Sequence, residues 1–424
     1  MVAPHMCSPG AGSECEVVRI LYHHRIRSKD GQAVHLEELI AALRSSGHEV
    51  LLIGPEGFEH ASFGHDPKLV VAIKKILPRA VYQLLEIAYN VPAYRRLRRA
   101  CKAFEPDIIY ERYNLNLFAG TWLAKRFGVP LLLEVNAPLA EERRDFGGLA
   151  FPNLAKQVEG RVWRRSDYVL PVTRVLGTKI QAAGVPFERI RVVPNAIDRQ
   201  KFADGLPADD AKQTLNLADK IVLGFVGFVR EWNGLENVLD LLAMPETPSS
   251  LHLLIVGDGP AIPRLKAQAS QLEIADRVTF AGLVERDRVG LHLAAFDIAL
   301  LPQCVEYCSP LKLFEYMAAG KAIVAPDQPN IREVLGATDA LLFPPGDFGK
   351  MSDAVLTAAQ NRALRDDLGC SSRRLIDEHG YTWSNNAARV IATAEEALER
   401  AKHRRAEPGA TRSRPARPTG GGIA

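Results

Sequence analysis

Serine, proline, lysine and glutamate stand in the order Ser309-Pro310-Leu311-Lys312-Leu313-Phe314-Glu315, a spacing able to hold a phosphate and a ribose together. Ser309 is a good N-cap and Pro310 suits a first helical position, so the spacing predicts a helix starting there, after the apolar run 296–302. Such a helix aims free backbone N–H groups and its positive end at an anion. Lys312 adds a point charge in the first turn. Glu315, one turn on and on the same face, can accept hydrogen bonds from two vicinal hydroxyls. Phosphate and ribose on one turn of helix make a nucleotide site. The blander alternative is an amphipathic helix that buries Leu311, Leu313, Phe314, Tyr316 and Met317 and carries Lys312 and Glu315 as a solubility pair.

A second cluster lies at 226–242, where an apolar run ends at Gly227 and a loop presents Arg230 and Trp232 before the next helix. A guanidinium there can fork onto a diphosphate and neutralise a leaving group; alternatively it pairs with Glu231 or Glu236. Asn233 reads as a helix cap, with Glu236 three residues on completing a capping box. Gly257, Asp258 and Gly259 close another apolar run, and Gly31 lets a phosphate or an acceptor approach a helix start closely. Each of these glycine turns is also an ordinary strand-to-helix connection.

These residues need strand ends to carry them, and the chain supplies them by switching period. Runs at 17–23, 33–47 and 48–54 make a β-α-β unit in which Ala33, Leu36, Ile40 and Leu43 share one helix face and Ser46 and Gly47 stop it. The alternation continues at 106–112, 123–128, 130–136, 166–173 and 189–195. A polar stretch at 203–210 interrupts it, and a second series follows at 221–227, 251–259, 277–283, 296–302, 321–327 and 339–346. Apolar strands joined through helices imply parallel sheets covered on both faces. The expected fold class is therefore α/β, with two Rossmann-like domains at 17–200 and 201–385 facing each other across a cleft. A C-terminal helix at 386–403 is expected to cross back to the first domain, and the tails 1–16 and 404–424 carry little to bury.

At 424 residues, 47% apolar and 24% charged, the chain has the size and composition of a two-domain globular protein. Its 53 basic and 50 acidic side chains leave +3, so no nucleic-acid partner is expected. Six cysteines are too sparse for a disulfide framework, and the close pair Cys304 and Cys308 lacks a second pair, so no metal is expected. No leader-like segment and no apolar stretch of about 18 residues occurs, which predicts a cytoplasmic chain. Local charge is another matter. Between 68 and 102, Lys74, Lys75, Arg95, Arg96, Arg98 and Arg99 interleave with apolar residues, and Glu86 is the only acid. That pattern suits an acceptor or an anionic membrane face at the inner side of a membrane, or equally a solvated helix face on the first sheet.

In this order and spacing, the stretches resemble family-4 retaining glycosyltransferases of the GT-B fold over about 17–400. HLEELIAALRSSGHEVLLI looks like that family's first helix and second strand, and VVPNAID is similar to its interdomain PNG(V/I)D segment, with Ala196 in place of the glycine. VGFVREWNG, VGDGP and SPLKLFEYMAAGKAIVA follow in the family's order. The resemblance implies transfer, with retention, of a sugar from a nucleotide-diphosphate sugar on the second domain to a glycan, lipid-linked or small-molecule acceptor on the first. No cofactor or metal is implied. It assigns Arg230 and Lys312 to the diphosphate, Glu315 to the ribose and the loop at Gly31 to the phosphate or acceptor. Gly227, Asn233, Gly257, Asp258, Gly259, Tyr307, Ser309, Pro310 and Leu311 complete the implied donor site.

Three positions depart from the family pattern. Asn233 stands where many members have lysine, Tyr307 where many have an acid eight positions before Glu315, and Asn136 where a histidine commonly faces the donor sugar. Asn233 and Tyr307 motivate a different reading, a non-catalytic glycosyltransferase-like subunit; an NDP-sugar epimerase of the same fold is another. A dehydrogenase is disfavoured, since no complete G-x-G-x-x-G follows a first strand.

Overall fold

A computed structural model of the chain describes residues 16–26, 31–55, 77–199, 201 and 207–406. The first sheet contains β1 (Arg19–His23), β2 (Glu49–Ile53), β3 (Ile108–Arg112), β4 (Leu131–Val135) and β5 (Tyr168–Pro171), in the order β2-β1-β3-β4-β5. The second contains β6 (Ile221–Val226), β7 (Leu251–Val256), β8 (Val278–Gly282), β9 (Ile298–Leu300), β10 (Ala322–Pro326) and β11 (Leu341–Phe343), in the order β11-β10-β9-β6-β7-β8. All of these pairings are parallel.

Burial on both faces explains the near-continuous apolar strands. Ile20 and Tyr22 of β1 join Leu36, Leu39 and Leu43 of the helix Gly31–Ser45, whereas Leu21 between them packs with Leu97 and Leu123 on the other face. The run 189–195 does not become a strand. It makes a 3-10 turn at Phe187–Arg189 and a single bridge from Ile190 to Val169, and Pro194 then lacks the N–H a ladder would need.

The C-terminal helix spans Trp383–Ala406 and lies against the first domain. Its Ala387, Val390, Ala394 and Ala397 share a core with Leu36, Leu39 and Leu43, small residues allowing close approach. The helix starts three residues before the expected 386 because Trp383 is itself buried, edge-on to His35.

Several contacts join the domains. Glu333 accepts the Arg174 and Val175 N–H groups at 2.8 and 3.0 Å, capping the helix Arg174–Ala182 from across the boundary. Arg286 bonds both Glu37, at 3.1 Å, and Glu38, and Glu38 also takes Lys201. Strand order reverses between β1 and β3 in one sheet and between β6 and β9 in the other. Ligands of open parallel sheets bind beyond the strand ends at such points, so chemistry belongs where the loops after β6 and β9 meet.

Candidate functional site

The helix Leu311–Ala318 follows the β9 loop and buries Leu313, Phe314, Tyr316 and Met317. Tyr316 locks it to the reversal point: its hydroxyl donates to the Leu300 carbonyl at 3.2 Å and accepts the Val226 N–H at 3.1 Å. The ends of β6 and β9 are thus tied to one phenol. Sequence reading had Tyr316 only as a core residue.

Lys312 and Glu315 stand half-buried on this helix and form no close ion pair with each other, although their charges interact. The Lys312 ammonium lies 3.5 Å from the centroid of the Phe225 ring. Burial pushes its pKa down to about 7, against the opposing pull of Glu315. Burial likewise raises Glu315, with Lys312 and Arg286 opposing. A Cβ on Gly227 would sit 3.5 Å from the Lys312 ammonium, so Gly227 leaves the space beside it open.

Arg230 half-emerges from the loop after β6, its guanidinium 4.8 Å from the Phe228 ring and 4.9 Å from the Trp232 ring. It forms no ion pair with Glu231 or Glu236; the two aromatic faces hold it instead. Asn233 caps, but not as expected. Its Oδ1 accepts the Arg230 N–H at 2.7 Å and closes the 3-10 turn Glu231–Asn233, while the next α-helix starts only at Leu235, beyond Gly234 at φ 73°. Glu236 takes no part in the cap, because Gly234 breaks the helical register between them.

Ser309 and Pro310 also shift. Pro310 occupies the cap position and the helix begins at Leu311, while the Ser309 hydroxyl accepts the Asn195 N–H at 3.0 Å instead of capping. Gly257 and Gly259 serve close packing of two loops. A Cβ on Gly257 would lie 2.1 Å from the Gly227 carbonyl oxygen, and one on Gly259 2.1 Å from that of Val229. Asp258 links them, its carbonyl accepting the Val229 N–H at 3.0 Å and its carboxylate the Gly259 N–H at 2.7 Å.

The first domain supplies the opposite wall. Gly31 opens its helix directly facing Leu311, whose Cδ1 would be 3.4 Å from a Cβ at Gly31. Asn136, half-buried after β4, donates to Glu134 at 2.6 Å. Glu134 is buried and also accepts the Tyr22 and Tyr110 hydroxyls at 3.0 Å each and the Arg112 guanidinium. Burial alone would raise its pKa, but His35, Arg112 and its hydrogen bonds hold it well below the carboxylate range. Tyr307 spends its side chain on the domain contact. The ring packs with Tyr113, Val135 and Trp163, and the hydroxyl donates to Glu142 at 3.1 Å.

Lys74 and Lys75 lie outside the described residues. Arg95, Arg98 and Arg99 are exposed on the helix Asn90–Phe104, whereas Arg96 is committed to the Gly54 carbonyl at 2.7 Å. Sequence reasoning missed Arg286, Glu134, His35 and Asn195. Their partners stand far away in the chain, so no local pattern marks them.

Two family models match consecutive parts of the chain, the glycosyl transferase 4-like domain over 30–196 and the glycosyl transferases group 1 over 220–361. The chain belongs to the GT4-type glycosyltransferases of the GT-B fold, and it is an enzyme of that class. Among its relatives, a GDP-mannose-dependent alpha-mannosyltransferase of Mycobacterium tuberculosis is 25% identical, covering 82% of this chain and 91% of the relative. An alpha-monoglucosyldiacylglycerol synthase of Streptococcus pneumoniae is 23% identical over 57% of each chain. The fold is that of Anabaena Alr3699/HepE crystallised with UDP, with a TM-score of 0.68 at 17% identity over 89% of this chain and 100% of that one. Sucrose-phosphate synthase from Thermosynechococcus elongatus superposes with a TM-score of 0.71 at 17% identity over 90% and 100%.

Proposed function

We propose that this glycosyltransferase moves a sugar, with retention, from a nucleotide-diphosphate sugar on its second domain to a hydroxyl acceptor on its first. One observation carries the reading: Arg230, on the loop after β6, and Lys312 and Glu315, on the helix after β9, converge where strand order reverses and stand half-buried with no ion pair among the described residues. Arg230 and Lys312 take the diphosphate, and Glu315 takes the ribose hydroxyls. In the transfer the bond from the anomeric carbon to the phosphate oxygen breaks, the bond to the acceptor oxygen forms on the same face, and the acceptor proton passes to the leaving diphosphate. Asn136 orients the sugar as a neutral donor. Because two side-chain cations neutralise the phosphates, we expect turnover without a metal, and EDTA should leave the rate unchanged.

GDP-mannose and UDP-glucose are the donors to test first. The M. tuberculosis relative is named for the former, and a structural neighbour was crystallised with the latter. Calorimetry with UDP, GDP and ADP on the wild type and Glu315→Ala tests the site. Selective binding that the substitution weakens at least tenfold is expected, since a hydrogen bond to a charged group is worth about 1.5–3 kcal/mol. Equal binding by the variant contradicts the ribose role.

The acceptor side carries a surface for anionic lipid. The helix Arg79–Ala88 is turned inside out: Gln83 is buried against the Phe151 backbone, while Val81, Leu84 and Leu85 are 42, 54 and 52% exposed. Exposed Arg95, Arg98 and Arg99 follow on the next helix, and exposed apolar and arginine side chains together suit a lipid face. No described helix is long and apolar enough to cross a membrane. Sedimentation with phosphatidylglycerol vesicles should be lost in Leu84→Ser/Leu85→Ser and at high salt; binding unchanged by either overturns the assignment.

A further inference from the structure

The geometry points to His35 as a positioning residue for transfer, the joint that sets the helix Leu311–Ala318 of one domain in register with the Asn136 loop of the other. His35 is buried on the helix Gly31–Ser45. Its Nδ1 lies 2.6 Å from Asn195 Oδ1 and its Nε2 3.2 Å from Glu134 Oε2. Trp383, from the C-terminal helix, stands edge-on to the imidazole at 5.0 Å and fixes the ring plane.

Asn195 is committed on three sides. Its Nδ2 donates to the Ser309 carbonyl, its backbone N–H donates to the Ser309 hydroxyl, and its Oδ1 is thereby left to face His35. Ser309 lies two residues before the helix that carries Lys312 and Glu315. On the far side, Glu134 receives Asn136. A continuous chain of polar contacts therefore runs from Asn136 through Glu134, His35 and Asn195 to Ser309, crossing the domain boundary through buried groups, with Asn136 half-buried at its end. Buried contacts of this kind hold a geometry more tightly than exposed ones.

His35 touches neither Arg230, Lys312 nor Glu315 in this chain of contacts, so its role differs from theirs. Those three belong to one domain and suffice for nucleotide binding. Transfer needs both domains, and a misplacement of about 1 Å costs up to about 100-fold in rate. Removing His35 should leave nucleotide affinity intact and lower kcat about 10- to 100-fold, as loss of an orienting outer contact does elsewhere.

The inference rests on the sugar-transfer reading, and the experiment separates the two. Nucleotide release from GDP-mannose or UDP-glucose, with a lipid and glycan extract as acceptor, is compared with UDP and GDP calorimetry for the wild type, His35→Ala, His35→Asn, His35→Gln, Asn195→Ala and the double alanine variant. Unchanged nucleotide Kd, reduced kcat and a double variant no slower than the worse single one are expected. His35→Asn, whose amide can still donate to Asn195 Oδ1, should recover more rate than His35→Gln. A folded His35→Ala with wild-type kcat, a Kd that worsens as much as kcat falls, or additive losses would overturn the inference. If His35→Ala does not fold, Asn195→Ala, which removes the amide that faces His35 and lies outside the implied donor site, is read by the same two quantities. A wild type that binds nucleotide yet transfers nothing sinks the transfer reading and this one with it. An active wild type beside an unimpaired variant sinks only this one.

Discussion

In the proposed donor site, Lys312 is the residue whose chemistry should change most when a nucleotide binds. With its pKa lowered by burial to about 7, the ammonium is about half deprotonated at neutral pH in the empty site. A diphosphate favours the charged form, raises that pKa and so draws a proton from solution. Affinity is then fully present below pH 7 and falls as pH climbs past the free-enzyme value. Calorimetry in buffers of different ionisation enthalpy should show uptake of about half a proton at pH 7, more at pH 8 and less at pH 6; uptake independent of pH contradicts the placement of the phosphates. On the proposed ribose role, Glu315, raised by its own burial, is expected to set the acid limb, since only the carboxylate would accept from both ribose hydroxyls. In Glu315→Gln the half-buried charge, which makes no ion pair among the described residues, is gone, so Tm should hold or rise while nucleotide affinity drops. Lys312 and Glu315 were legible in the sequence as a pair on one face. Tyr316, which ties that face to Leu300 and Val226, was not, because a tyrosine in an apolar stretch carries no sign of what its hydroxyl will meet.

At the scale of elements, the loops after β6 and β7 act as one piece. Gly227 and Gly257 have φ values of 120° and 131°, and the backbones of the two loops approach so closely that no Cβ fits at Gly257 or Gly259. Gly257→Ala and Gly259→Ala should each cost about 1–3 kcal/mol, seen as a lower urea midpoint, and should weaken nucleotide binding because the turn leading to Arg230 moves with them. Gly282→Ala is the control. Its φ of 69° is strained for alanine, but the space around it is open, so a smaller loss of about 1 kcal/mol and unchanged nucleotide binding are expected. The sequence shows Gly-Asp-Gly-Pro as a turn and cannot show which backbone lies across from it. The helix Arg79–Ala88 makes the same point: its pattern left open a membrane-facing surface or a solvated face on the first sheet, and in the fold Gln83 is buried and bonded to Phe151 while Val81, Leu84 and Leu85 face outward.

For the whole molecule, Tyr307 decides how firmly the domains are joined. Its ring enters the apolar cluster of the first domain, and the Thr173 hydroxyl donates to its backbone carbonyl at 3.0 Å. Tyr307→Phe loses one hydrogen bond, about 1 kcal/mol, whereas Tyr307→Ala empties a packed site at about 3 kcal/mol or more. Small-angle scattering should then show a larger radius for Tyr307→Ala and none for Tyr307→Phe; equal radii in all three contradict an anchoring role. Arg286 adds a second, more exposed tie to Glu37 and Glu38, which salt should weaken.

Period, composition and local spacing are properties of neighbours in the chain. They sufficed for the two α/β domains, the strand positions other than the run 189–195, the Lys312 and Glu315 helix and the family resemblance, because a helix face or a strand is written within about ten contiguous residues. What Ser309, Asn195, His35, Glu134 and Tyr307 do was decided only when the domains met. His35 and Asn195 are 160 positions apart, Asn195 and Ser309 114, and Thr173 and Tyr307 134. A polar side chain reveals its donors and acceptors in the sequence. Which partner satisfies them, once water is excluded, depends on the faces that close upon it.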